Sequence, residues 1–207
     1  MKNIGSAQSA ESARPTTGHS VLRFPHGVAN LTLRVDESMT AVHRADFSGP
    51  APLVTEGADQ ITIDYPRFNP LTWGRTAAAV TINPRVNWAI EIEGGVAHWD
   101  GDLTSVELSR VEVRGGGSHI RLRLPRPSGT VRLRISGGVK DLHLLRTSSV
   151  PARIQIAGGA SKLALDGQGF GAVGGPIGLE SDGYSSSADR YLVDIGGGAS
   201  QVTIGPA

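Results

Sequence analysis

From Val21 onward one short pattern recurs: a glycine, then apolar residues four and six positions later. It runs Gly27-Val-Ala-Asn-Leu-Thr-Leu, Gly57-Ala-Asp-Gln-Ile-Thr-Ile, Gly95-Val-Ala-His-Trp, Gly116-Gly-Ser-His-Ile-Arg-Leu, Gly138-Val-Lys-Asp-Leu-His-Leu, Gly159-Ala-Ser-Lys-Leu-Ala-Leu and Gly198-Ala-Ser-Gln-Val-Thr-Ile. The middle glycines are 21, 22 and 21 residues apart; the outer spacings of 30, 38 and 39 suggest longer or doubled turns. Upstream of the corners lie Ile90 and Ile92, Val111 and Val113, Leu133 and Ile135, Ile154 and Ile156, Val193 and Ile195. Each unit therefore has an alternating strand into the corner and another out of it, the period-two signature of β-structure. A fixed period in this range marks a solenoid, whose units bury their apolar faces only against neighbours.

The pattern predicts an all-β, single-domain β-solenoid over residues 21–207, with residues 1–20 a flexible tail. Stacked coils turn equivalent positions into inward columns about 4.8 Å apart per step. One expected column is Leu31, Ile61, Trp99, Ile120, Leu142, Leu163 and Val202; another is Leu33, Ile63, Leu122, Leu144, Leu165 and Ile204, interrupted at Gly101 by a bulge. Roughly eight to ten coils give a rod on the order of 40–50 Å. The corner glycines answer to positive φ or to close coil packing. A Greek-key sandwich, with Pro125-Arg-Pro-Ser-Gly129 as a hairpin link, is the competing all-β topology, but it has no reason to keep a 21-residue register.

Composition changes this picture little. Twenty basic residues balance 19 acidic ones, which disfavours bulk attraction to nucleic acid or acidic lipid. There are no cysteines, hence no disulfides and no thiolate zinc site. No stretch approaches the ~18 apolar residues of a membrane helix, and residues 1–20 hold no apolar leader, so a cytoplasmic location is expected.

Candidate chemistry is sparse. Asp100 and Asp102 near His98 could serve a carbohydrate-active β-helix enzyme, but Arg121 and Arg123 one coil later would pair with them. Arg121, Arg123, Arg132 and Arg134 point outward, with Arg110 and Arg153 extending a basic stripe that an acidic polymer would fit. Glu112 opposes Arg134, however, and aromatic residues are too few for a base-stacking platform. His98 and His119 share a corner position and could share a metal ion, but Asp141 and Lys162 follow and a polar ladder is the simpler account. Gly169-x-Gly171-x-x-Gly174 matches a dinucleotide pattern without opening a helix. The sequence thus offers no catalytic residue, cofactor, metal site or small-molecule substrate. Val202-Thr-Ile204 ends the last strand with only Gly-Pro-Ala beyond, so the last coil, Gly198 to Ile204, is expected to present an open edge. That edge and the arginine face are the expected surfaces for self-association or a protein partner.

The Gly-Gly-Ala-Ser and Gly-Gly-Val corners with following Leu-x-Leu strands, the run Gly167-Gln-Gly-Phe-Gly-Ala-Val-Gly-Gly175 and the segment Ser181-Asp-Gly-Tyr-Ser-Ser-Ser-Ala-Asp-Arg-Tyr191 carry a resemblance. Over about residues 86–204 the chain resembles the toastrack, DUF4097-like "putative adhesin" family of bacterial β-solenoids, and is similar to the C-terminal domain of LiaF-type envelope-stress regulators. The resemblance implies a non-enzymatic scaffold for interaction and assembly, with no catalytic residues to carry over.

Overall fold

The computed structural model describes residues 2–6, 9–11, 18–65 and 73–207. In chain order the strands are β1 (Lys2–Ser6), β2 (Ser9–Glu11), β3 (His19–Phe24), β4 (Val28–Val35), β5 (His43–Ser48), β6 (Leu53–Glu56), β7 (Gln60–Asp64), β8 (Ala77–Ile82), β9 (Asn87–Ile92) and β10 (Val96–Asp102). They continue with β11 (Glu107–Val113), β12 (Gly117–Arg123), β13 (Thr130–Ile135), β14 (Val139–Arg146), β15 (Ala152–Ile156), β16 (Ala160–Leu165), β17 (Gln168–Phe170), β18 (Ile177–Glu180), β19 (Arg190–Ile195) and β20 (Ala199–Pro206).

Two ten-stranded sheets result, ordered β1-β6-β7-β3-β9-β11-β13-β19-β15-β18 and β17-β16-β20-β14-β12-β10-β4-β8-β5-β2. Each glycine corner passes the chain from the first sheet to the second, so β9 and β10, β11 and β12, β13 and β14 are successive coils of an all-β solenoid. Inward residues of both sheets merge into one apolar core. Burying such side chains contributes about 1.5–3 kcal/mol each and outweighs local propensity.

The middle columns stand as the register requires. Trp99, Ile120 and Leu142 are lateral partners, as are Gly101, Leu122 and Leu144. In the first sheet Ile90, Val111, Leu133, Val193 and Ile154 form one row. Gly101 keeps the register of its neighbours and is not a bulge. It makes room: a Cβ there would lie 2.7 Å from Leu122 Cδ2 and 3.4 Å from Trp99 Nε1.

At both ends chain order and spatial order part. Ile61 and Ile63 belong to β7 in the first sheet, beside β3; Ala78 and Val80 of β8 take the expected places next to Leu31 and Leu33. At the other end β20 lies between β14 and β16. Val202 therefore sits between Leu142 and Leu163, and Ile204 between Leu144 and Leu165. The chain builds the outer coil β15–β16 first, turns through β17 and β18, and returns to fill the level beneath. This is the physical meaning of the 39-residue spacing, and it corrects the expectation of an open last coil: Gly198, Val202 and Ile204 are interior to the stack.

The true ends are antiparallel. β17 folds back on β16 through Asp166 and Gly167, both at positive φ (50° and 82°), and β18 pairs with β15. Asp-Gly is the strongest short-range hairpin signal. At the far end β6 and β5 pair antiparallel with β7 and β8. Within residues 1–20, β1 adds to β6 and β2 to β5, and His19 and Ser20 already belong to β3, in place of a wholly unpaired tail. The remainder of that segment, residues 1, 7–8 and 12–17, lies outside the described residues, and Gly18 precedes β3. Short outer strands of three to five residues leave little edge for another chain to template on.

Close approach fixes the paired glycine corners from Gly94 to Gly198, none of which is at positive φ; Gly27 combines both, with φ 76° and a Cβ position 2.4 Å from Gly95 O. A Cβ on Gly197 would stand 2.6 Å from the Gly138 nitrogen, with backbone on the other near contacts too. The corner amides bond coil to coil, as in Gly197 N–H to Gly137 O at 3.0 Å. Gly197→Ala is therefore expected to destabilise by about 1–3 kcal/mol, the range for overpacking. At ~2–4 °C per kcal/mol that lowers Tm by several degrees. Gly169→Ala, with open space around its Cβ position, should stay within about 0.5 kcal/mol. Thermal melts of both variants check this; equal melting temperatures would remove the close-packing account.

Candidate functional site

Three residues past the second corner glycine, the chain adopts a left-handed conformation at His119 (φ 48°), Asp141 (58°), Lys162 (54°) and Gln201 (57°). Non-glycine residues are uncommon there, and Asp and His tolerate it best. The twist turns these side chains onto the outer face of the second sheet, in a column headed by His98. The His98 and His119 rings stack with centroids 4.8 Å apart and planes 9° from parallel, the spacing of neighbouring strands. Asp141 then bridges two imidazoles: its Oδ2 lies 2.8 Å from His119 Nδ1 and its Oδ1 lies 2.9 Å from His143 Nε2. His143 is the outward residue between Leu142 and Leu144, and it went unremarked in the sequence although its position two residues after Asp141 places both on one face.

These groups line an open groove of about 340 Å³ with Asn30, Thr32, Asp100 and Arg121 on its walls. Leu31, Trp99 and Ile120, all core residues, also line it. Asp100 is laterally paired with Arg121 as expected, but Arg34 from the other side takes its carboxylate at 2.5 Å. Arg121 forms no ion pair among the described residues and faces the groove with its charge uncommitted. Asp102 does bond Arg123, at 3.3 Å, and Thr104 Oγ1 at 2.8 Å. The Thr104 hydroxyl first, then its amide and Arg123, hold the Asp102 carboxyl below the usual carboxylate range. Both aspartates are thus engaged by arginines.

The expected arginine face divides. Arg121 and Arg123 lie on β12 of the second sheet, Arg132 and Arg134 on β13 of the first, because the Pro125–Gly129 link carries the chain between sheets and closes no hairpin. Arg132 pairs with Asp194 at 3.1 Å, Arg110 with Glu91 at 2.5 Å, and Arg153 with Glu180. Glu112 is in register with Arg134 but bonds Arg114 at 3.5 Å. The first sheet thus pairs most of its charges across strands, Arg134 being left without an ion pair among the described residues, and presents no continuous basic stripe. Among the described residues no cluster of three or more His, Asp or Glu could hold a metal ion. Gly169, Gly171 and Gly174 lie in β17 and the turn after it, away from any helix terminus.

The hydrogen bond from His119 first, and that from His143, hold the Asp141 carboxyl below its ordinary value. A depressed folded-state pKa contributes stability above the unfolded carboxylate range, near 3.8, and that contribution is lost as pH falls through the folded value. Asp141 is partly solvated, so the gain is about 0–1 kcal/mol. Asp141→Asn should melt slightly below the parent at about pH 5, and the gap should narrow as the pH falls below the ordinary carboxylate range and through the lowered folded value. Melting curves from about pH 5 downward check the sign; a gap that widens over that range contradicts it.

No family model matches the sequence, and no curated protein matches it significantly. Among solved structures, the chain is similar to a protein from Clostridium sporogenes described as a "putative cell adhesion protein", with TM-score 0.69 over 100% of both chains at 18% sequence identity. At that identity the likeness is one of fold: the whole chain shares the solenoid architecture of that protein.

Proposed function

We propose that the chain is a non-enzymatic interaction scaffold that engages a protein partner across the outer face of its second sheet, at the groove around Asp141. The observation that supports this most is Arg121, an uncommitted cation beside a His119–Asp141–His143 chain already assembled in the free protein. Arginine is enriched at protein interfaces, and its planar fork suits carboxylates of a partner surface. The groove sits on paired strands and Asp141 already holds His119 and His143, so among its donors Arg121 is the side chain that bears the ordering cost of about 0.5–1.5 kcal/mol. Adhesion, the role in the description of the Clostridium sporogenes protein, and the toastrack resemblance both fit such a scaffold. The engagement of Asp100 by Arg34 and of Asp102 by Arg123 favours binding over glycoside hydrolysis. A face, unlike the short antiparallel strands that close each end, also offers area for self-association.

Site-specific photocrosslinking in the producing cell tests this. A photoreactive p-benzoylphenylalanine at Thr32, on the groove wall, should yield a discrete adduct that Arg121→Glu abolishes, whereas the same group at Glu112 on the opposite face should yield none. An adduct of twice the chain's mass identifies self-association, and any other mass a distinct partner. Failure at Thr32, or the same adducts from both faces, contradicts the proposal.

A further inference from the structure

The end of the rod capped by β17 and β18 holds a second concavity, separate from the groove and of about 630 Å³, within the ~300–1,000 Å³ of small-ligand sites. Its wall contains Arg146, the one arginine among the buried polar residues described, at 2% exposure. The coil does not require a charge there. Leu142 and Leu144 precede it on the inward face, and Leu124, two residues after the lateral partner of Leu144, is an ordinary core residue. Burying a guanidinium costs several kcal/mol unless it is well paired.

What Arg146 does is fix polar groups of two different cap segments. Its Nη2 donates to Asp166 Oδ1 at 2.5 Å, in the turn before β17, and to Ser181 Oγ at 2.9 Å, just after β18. Ser181 Oγ also accepts the Ala152 N–H at 3.0 Å, so its own hydroxyl hydrogen remains to be donated. On Arg146 itself, Nη1 reaches only the Thr147 carbonyl at 3.4 Å and Nε has no partner. The cavity therefore combines the free hydroxyl donor of Ser181 with carboxylate acceptors on Asp166 and Asp182, beside the half-buried apolar surfaces of Phe170 and Leu179. A hydroxyl both donates and accepts, and a pyranose carries several hydroxyls around a patch of C–H. An anion would meet the carboxylates of Asp166 and Asp182, and an ammonium would meet the buried guanidinium. We propose that this end cavity binds a neutral sugar residue, with Arg146 as the positioning residue that holds Asp166 and Ser181 in place. The proposal is independent of the groove on the second sheet.

Amide spectra of the isotope-labelled full chain, titrated separately with glucuronate and spermidine as charged controls and with four neutral sugars, methyl glucoside, methyl mannoside, methyl galactoside and N-acetylglucosamine, test it. At least one sugar should saturably shift Gly167, Gln168, Ser181 and Asp182, with a dissociation constant of about 1 mM or tighter. Arg146→Met should weaken that binding about tenfold or more. Asp182→Ala, at an exposed position, should weaken it also, and stands in should the Arg146 variant fail to fold. No shift with any of the four at about 50 mM, far above a millimolar constant, overturns the proposal. So do shifts produced only by glucuronate or spermidine, or sugar binding that neither variant weakens.

Discussion

No side chain fits at the first glycine of the paired corners, Gly94, Gly115, Gly137, Gly158 and Gly197. Backbone meets backbone there at distances a Cβ cannot share, and the corner amides bond from one level to the next. That single constraint sets the pitch and the register, and hence which side chains meet. With the corners locked, the apolar columns fall inward, the charged rows fall outward, and after four of the corners the third residue, His119, Asp141, Lys162 or Gln201, turns left-handed and projects from the face. The stacked His98 and His119 rings, and the carboxylate of Asp141 between two imidazoles, are consequences of that spacing.

The order of levels matters as much as their pitch. Because β20 inserts between β14 and β16, the C-terminal strand is paired along both sides, and the chain spends its outermost segments on short antiparallel strands. A solenoid built in strict chain order would leave a long parallel edge for another copy to extend. This one closes its ends with short antiparallel strands and exposes the outer faces of its two sheets. On the first sheet the charges are largely taken up by one another; on the second, the imidazoles are held by Asp141 and Arg121 forms no ion pair among the described residues.

Much of this was legible in the sequence. The glycine interval and the flanking alternation identified the solenoid, the inward columns from Trp99 through Leu144, and the lateral pairing of Asp100 with Arg121 and Asp102 with Arg123. The order of levels was not, because inward residues at Val202 and Leu163 are equally apolar and hydrophobic periodicity carries no record of which coil is neighbour to which. Ile61 was misplaced for the same reason: a glycine followed by alternating isoleucines reads alike in either sheet. Asp166-Gly167 was a readable hairpin signal that would have shown the chain turning back before its last coil. Arg146 could not be read as buried, since its place inside depends on Asp166 and Ser181 arriving from the cap.

The central claim is the stacking order at β14, β20 and β16. The chain has no cysteines, so introduced pairs report cleanly. Ser200 lies laterally between Lys140 and Ser161, with the Ser161 and Ser200 Oγ atoms 3.1 Å apart. Under mild oxidation Ser161→Cys with Ser200→Cys should form a disulfide, whereas Lys140→Cys with Ser161→Cys, two strands apart, should remain reduced. Efficient bridging of residues 140 and 161 with none between 161 and 200 would mean that the coils stack in chain order, and the inserted β20 level would be wrong.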